Sequence, residues 1–142
     1  MKNHGMKVLL TGTDEAGRSC VTETIETPVP MGHMASQPLF HSRRQAPLAP
    51  NPAGERRDLG VADGELAWSV VLWAPDQTFD LHHTDTVDLD TVLTGSMILT
   101  LEDGEHHLGV GDAVVMNGVA HSWRSGPEGC SLSVAAYGRT RG

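Results

Sequence analysis

Short runs of apolar and β-branched residues recur between positions 65 and 137, each bounded by turn-forming residues. Their spacing predicts strands at 66–73, 86–94, 96–102, 105–110, 113–116, 120–124 and 130–137, with turns at 74–76, 94–95, 103–104, 109–112, 117–118 and 126–127. Two more strands are predicted nearer the N-terminus, at 7–11 and 20–26, the second alternating apolar and polar side chains as a half-buried strand does. No segment keeps a helical period, and no internal repeat is evident. Strands at this spacing are the signature of an antiparallel sandwich or barrel.

Side-chain parity indicates which residues face the interior, because alternate residues of a strand point to opposite faces. In the last strand Cys130, Leu132, Val134 and Ala136 share the apolar face. His121 and Trp123 share one face of the strand before it, and Asp88, Asp90 and Val92 share one face of the strand beginning at Thr86. Turned inward together, these strands deliver an imidazole and carboxylates into one cavity. Between Pro28 and Gly64 the chain has six prolines and little periodicity, which reads as an extended arm. The expected organisation is a single domain: residues 1–64 as N-terminal strands and a proline-rich arm packing on the barrel, and residues 65–142 as the barrel core.

Composition narrows the partners. Ten Lys and Arg against eighteen Asp and Glu give a net charge of −8 with no basic run, so nucleic acid, whose phosphates demand concentrated positive charge, is not an expected partner. The apolar stretch near the N-terminus is too short for a signal peptide or a membrane span, and a cytoplasmic protein without membrane contact is expected. Two cysteines far apart, Cys20 and Cys130, do not resemble a disulfide framework and read as free thiols.

Two segments carry a family resemblance. His82-His83-Thr84-Asp85-Thr86-Val87-Asp88, with Gly95 beyond it, and Gly111-Asp112-Ala113-Val114-Val115-Met116-Asn117-Gly118, followed by His121, resemble in order the two motifs of the cupin superfamily. The resemblance covers roughly the C-terminal half and implies an all-β, single-domain antiparallel β-barrel or jelly roll with an extended N-terminal arm, of the small cupin 2-like kind. Metal-binding cupins supply two histidines one residue apart, a glutamate and a further histidine. Here those positions hold His82, Thr84, Asp88 and His121, so one histidine is replaced by threonine and the glutamate by the shorter aspartate.

The resemblance therefore leaves two states open. One divalent ion (iron, zinc, manganese or nickel) is held by His82, Asp88 and His121, two imidazoles and a carboxylate being a sensible set for such metals. Alternatively no ion is held, and the same residues perform acid–base catalysis, with His121 as the proton-transfer residue and Asp88 orienting it. Asp90, Trp123, Trp68, Met97 and Thr84 are the expected pocket residues. His106 and His107, beside a hairpin turn, read as surface, and the arginine pairs 43–44 and 56–57 read as solvated loop charges with an anionic substrate as the lesser alternative. The expected function is a small-molecule enzyme of non-redox proton chemistry: a cyclase, isomerase, dehydratase or decarboxylase. An iron-dependent dioxygenase and a non-catalytic small-molecule sensor are the alternatives. A homodimer is expected, the arm covering a neighbour's sheet edge.

Overall fold

The computed structural model describes residues 5–28, 32, 34, 36–42 and 47–141; His4, His33, Arg43 and Arg44 lie outside them. The described residues form nine strands and no helix, so none holds a helix long and apolar enough to cross a membrane. In chain order the strands are β1 (Lys7–Thr13), β2 (Ser19–Glu26), β3 (Glu55–Arg56), β4 (Leu66–Trp73), β5 (Thr78–His83), β6 (Thr86–Leu101), β7 (Gly104–Gly109), β8 (Ala113–Asn117) and β9 (His121–Gly138). Hydrogen bonding runs β2-β1-β8-β6-β9-β5-β3, with β4 added on β9 and β7 on β6. The architecture is an all-β jelly roll.

The sheet is mixed, because β1 pairs parallel to β8 and β3 parallel to β5, and its hydrogen-bonded path does not close. Segments predicted as separate strands are continuous: 86–94 with 96–102 in β6, and 120–124 with 130–137 in β9. The expected turn at 94–95 is a bend inside β6, where the pairing with β9 shifts register between Val92 and Thr94 and again between Gly95 and Met97. Opposite it, Ser125 pairs with Met97 and Cys130 with Gly95, so residues 126–129 bulge out of β9. Extra residues of this kind bend a strand and let it serve two halves of a folded sheet. Gly95, with φ +72°, lies so close to the Gly129 carbonyl that a side chain has no room there.

Two apolar clusters form the core. Leu9, Val92, Met97, Leu99, Leu101, Leu108, Val114, Met116, Trp123 and Leu132 fill the space between the halves of the sheet. Val8, Val87, Ala113 and Val115, of opposite parity on the same strands, pack under Leu48 of the arm. Strands β1 and β8 are therefore covered on both faces there, which explains the consecutive apolar residues Val8-Leu9-Leu10 and Ala113-Val114-Val115-Met116. The arm also engages its own chain: Glu55 and Arg56 pair with His82 and His83. Asp85 anchors it by accepting from Arg56 Nε at 2.8 Å and Arg141 Nε at 3.2 Å.

Candidate functional site

A cavity of about 310 Å³ opens between β4, β5, β6, β9 and the arm. His82 on β5 and His121 on β9 are directly paired across the two strands, with ring centroids 4.2 Å apart. The expected residues His82, Thr84, Asp88, Asp90, His121 and Trp123 all line the cavity. Inward parity explains the β6 pair, since Asp88 and Asp90 stand two apart and both are buried, while Leu89 between them is exposed.

Each imidazole is fixed by its own strand. His82 Nδ1 lies 2.8 Å from the Asp80 carbonyl, and His121 Nδ1 lies 2.9 Å from the Val119 carbonyl. A carbonyl only accepts, so each Nδ1 carries the hydrogen and each neutral ring is left with a bare Nε2. Burial pushes the His121 pKa down to about 3, His82 adding to the effect, and burial also lowers His82 itself. Both rings are therefore neutral at pH 7. The carbonyl at Nδ1 replaces the expected Asp88 as the group orienting His121.

The carboxylates move the other way. Burial raises Asp88 to about 6, opposed by the Thr86 hydroxyl, which donates to Asp88 Oδ1 at 2.5 Å and lies 2.8 Å from the Thr84 hydroxyl. Asp90 is raised well above the ordinary value, first by burial and then by the Asp88 charge. Asp90 Oδ1 and Trp73 Nε1, both on cavity-lining residues, are buried without a hydrogen-bond partner. Unsatisfied buried polar atoms are rare, and here a ligand is the natural partner for them.

Two expected pocket residues lie elsewhere. Trp68 is 78% exposed on the outer face of β4, where its Nε1 donates to Ser133 Oγ at 2.7 Å. Apolar residues at both parities of β4 concealed which face turned inward, and it is Val71 and Trp73 that line the cavity. Met97 is buried in the core cluster and does not line the cavity. His83 turns to the arm, its Nδ1 3.1 Å from the Ala53 carbonyl. His106 pairs with Asp103 at 2.7 Å and His107 is exposed, both away from the cavity. Sequence reasoning missed Phe79, whose strand it did not predict, and Asp58 and Leu59; Arg57, for which an anionic substrate was the lesser expectation, is brought with them to the mouth by the arm.

For an ion, the two bare Nε2 atoms are the open donors, with Nδ1 held as a metal-ligating histidine's usually is. Asp88, the third expected donor, lines the same cavity and accepts from the Thr86 hydroxyl at Oδ1.

The histidines of two separate motifs thus meet inside a jelly roll. Solved structures with similar folds include a protein of unknown function from Rhizobium leguminosarum bv. viciae 3841, with TM-score 0.50 and 23% identity over 54% of this chain and 73% of that one. A sugar phosphate isomerase of the cupin superfamily from Silicibacter pomeroyi aligns with TM-score 0.44 and 18% identity, over 53% of this chain and 51% of that one. A cupin-2 domain protein from Shewanella frigidimarina aligns with TM-score 0.40 and 20% identity, over 50% and 67%. The polyketide cyclase RemF from Streptomyces resistomycificus aligns with TM-score 0.43 and 28% identity, over 54% and 56%. The fold of this chain is similar to those of these proteins, several of them from the cupin superfamily. The alignments span about half to three quarters of those chains, and the isomerase and cyclase activities are those of the proteins named. No family model and no curated protein matches the chain. His82, Thr84, Asp88 and His121, from the two sequence motifs, all line the one cavity.

Proposed function

We propose that the chain is an enzyme that binds a small organic molecule in this cavity and moves a proton on it without redox chemistry, as in isomerisation, cyclisation, dehydration or decarboxylation. The observation that carries the reading is the pair of buried imidazoles whose Nδ1–H groups are tied to backbone carbonyls, leaving two bare Nε2 atoms in a cavity also lined by Asp88 and Asp90. His121 is the base, with His82 beside it, and Asp90, whose carboxyl burial favours in the protonated form, is the acid. Asp88 and the Thr86–Thr84 hydroxyl chain fix the opposite wall.

Exchange of acidic C–H protons for deuterium, followed by NMR over a panel of aryl β-dicarbonyl compounds, tests this. Exchange accelerated by the wild type and lost in His121→Ala, with binding retained, supports the enzyme. Binding without exchange anywhere in the panel favours a sensor. Exchange that disappears on exhaustive chelation and returns with iron, together with oxygen uptake, favours the metal-dependent dioxygenase.

The working unit is proposed to be a homodimer joined through β4. Among the described residues this strand pairs only with β9; it has no charge or proline in its eight residues, and exposes Leu66 (71%), Trp68 (78%) and Leu72 (79%). Bare apolar edges are normally blunted, and an antiparallel edge pairs readily with a copy of itself about a twofold axis. With Val70, Leu89 and Tyr137 the face offers on the order of 700 Å², near the roughly 800 Å² per partner of a stable interface. Light scattering is expected to give a dimer that Trp68→Glu with Leu72→Lys converts to a monomer; a monomeric wild type refutes it. The unpaired thiols of Cys20 and Cys130 support a reducing, cytoplasmic setting.

A further inference from the structure

The cavity wall is a continuous arc of rings. Trp73 meets Phe79 edge-on at 5.9 Å, Phe79 meets His82 at 4.9 Å, His82 meets His121 at 4.2 Å, and His121 meets Trp123 at 5.6 Å. At one end the Arg57 guanidinium lies over the Phe79 ring, 4.3 Å from its centroid. Arg57 is the sole cation among the described residues lining the cavity. Stacking holds the guanidinium by its face and leaves the N–H donors around its edge open.

Those donors have weak competition. The nearest carboxylate oxygen, Glu55 Oε2, is 4.0 Å away on a side chain 83% exposed, beyond hydrogen-bond reach and well screened. The other acid at the mouth, Asp58, accepts from the Gly60 N–H at 2.8 Å. The lip itself is anchored: the Arg57 N–H donates to the His83 carbonyl at 2.8 Å, and Gly54, with φ +80°, lets the arm approach the Leu81 backbone more closely than a side chain would allow. On a chain of net charge −8, a stacked arginine with open donors at the mouth of an aromatic slot is a specific feature.

We infer that the ligand is a planar aromatic carboxylate, its ring system against the Trp73–Phe79–Trp123 wall and its anionic group on Arg57. This rests on the cavity being a small-molecule site and adds the recognition rule. The pairing is two-pronged, guanidinium to carboxylate, and orients the ring body toward the two histidines.

Binding of 2-naphthoate and of its neutral counterpart 2-naphthamide, read by quenching of Trp73 and Trp123 fluorescence at low ionic strength, tests it. The wild type is expected to bind the carboxylate about tenfold or more tightly than the amide, in line with a hydrogen-bonded charge. Arg57→Gln is expected to erase that preference with amide binding unchanged, and Arg57→Lys to keep part of it. Equal affinities in the wild type, or a preference that survives in Arg57→Gln, overturn the recognition rule and leave the cavity reading standing. Absence of binding by either compound overturns both. Because the Arg57 side chain is 45% exposed, Arg57→Gln is expected to melt with the wild type; a lower melting point shifts the comparison to Arg57→Lys against a Phe79→Leu variant, in which loss of the carboxylate preference counts for the rule and its full retention against it.

Discussion

Replacing Asp88 by Asn removes a buried charge while keeping the shape of the side chain and the oxygen that Thr86 donates to. Burial raises this carboxyl from 3.8 to about 6, a difference of about two pH units, so the ionised form costs ~3 kcal/mol of stability when fully present. The sign follows from linkage. A raised carboxyl pKa means the folded chain holds the proton more tightly than the unfolded chain, so the stabilisation is complete below about pH 4 and lost as pH climbs through about 6. The lowered pKa values of His121 and His82 act in the opposite direction, removing stability as pH falls below 6.5. Both histidines are present in variant and wild type, so the difference between the two proteins isolates the carboxyl. Asp90 is raised partly by the Asp88 charge and is relieved in the same variant, which adds in the same direction. Urea unfolding at pH 4, 6 and 8 in chelator, extrapolated to water, is the assay. Asp88→Asn is expected to gain ~3 kcal/mol on the wild type between pH 4 and pH 8. A constant offset across that range refutes the reasoning, because it means that Asp88 ionises as freely in the folded chain as in the unfolded one.

Gly95→Ala is expected to destabilise by about 2 kcal/mol or more, since the residue sits at φ +72° against the Gly129 carbonyl; a urea midpoint equal to wild type contradicts the bend in β6. Asp85→Asn frees Arg56 and Arg141, both partly exposed, so global stability is expected to fall by no more than about 1 kcal/mol while trypsin cleaves after Arg56 and Arg57 faster. The same loosening is expected in the wild type at acid pH: the Arg56 hydrogen bond holds Asp85 below its ordinary value, so its contribution is present above about pH 4 and lost below. Cleavage rates equal to wild type count against the anchor.

Periodicity located most strands, and parity placed His121 with Trp123 and Asp88 with Asp90 on inward faces, because strand alternation is a local rule that tertiary packing preserved. It failed where a strand bends without ending. Thr94-Gly95 and Gly126-Pro127 have turn chemistry, yet they face each other as bulges within β6 and β9, and only the cross-strand register distinguishes a bend from a turn. Strand β5 was missed because its Thr78–His83 sequence, TFDLHH, holds only two apolar residues, and an irregularity between Phe79 and His82 brings residues of opposite parity to the cavity. Trp68 was misplaced for a related reason: β4 is apolar on both faces, so alternation has nothing to report. Arg57 reaches the cavity through arm residues with no regular pattern. Its position depends on Gly54, Asp85 and the short β3 pairing, which are long-range contacts.

The proposed proton transfer depends on two neutral imidazoles whose Nε2 atoms carry no hydrogen. Long-range ¹⁵N–¹H correlation spectra of uniformly ¹⁵N-labelled, metal-free protein at pH 7 report the protonation of each ring nitrogen directly. His82 and His121 are both expected to show the Nδ1–H tautomer at pH 7, held unchanged in His121 as pH falls to 5. A protonated Nε2 on His121, or titration of that ring between pH 5 and 7, contradicts the account.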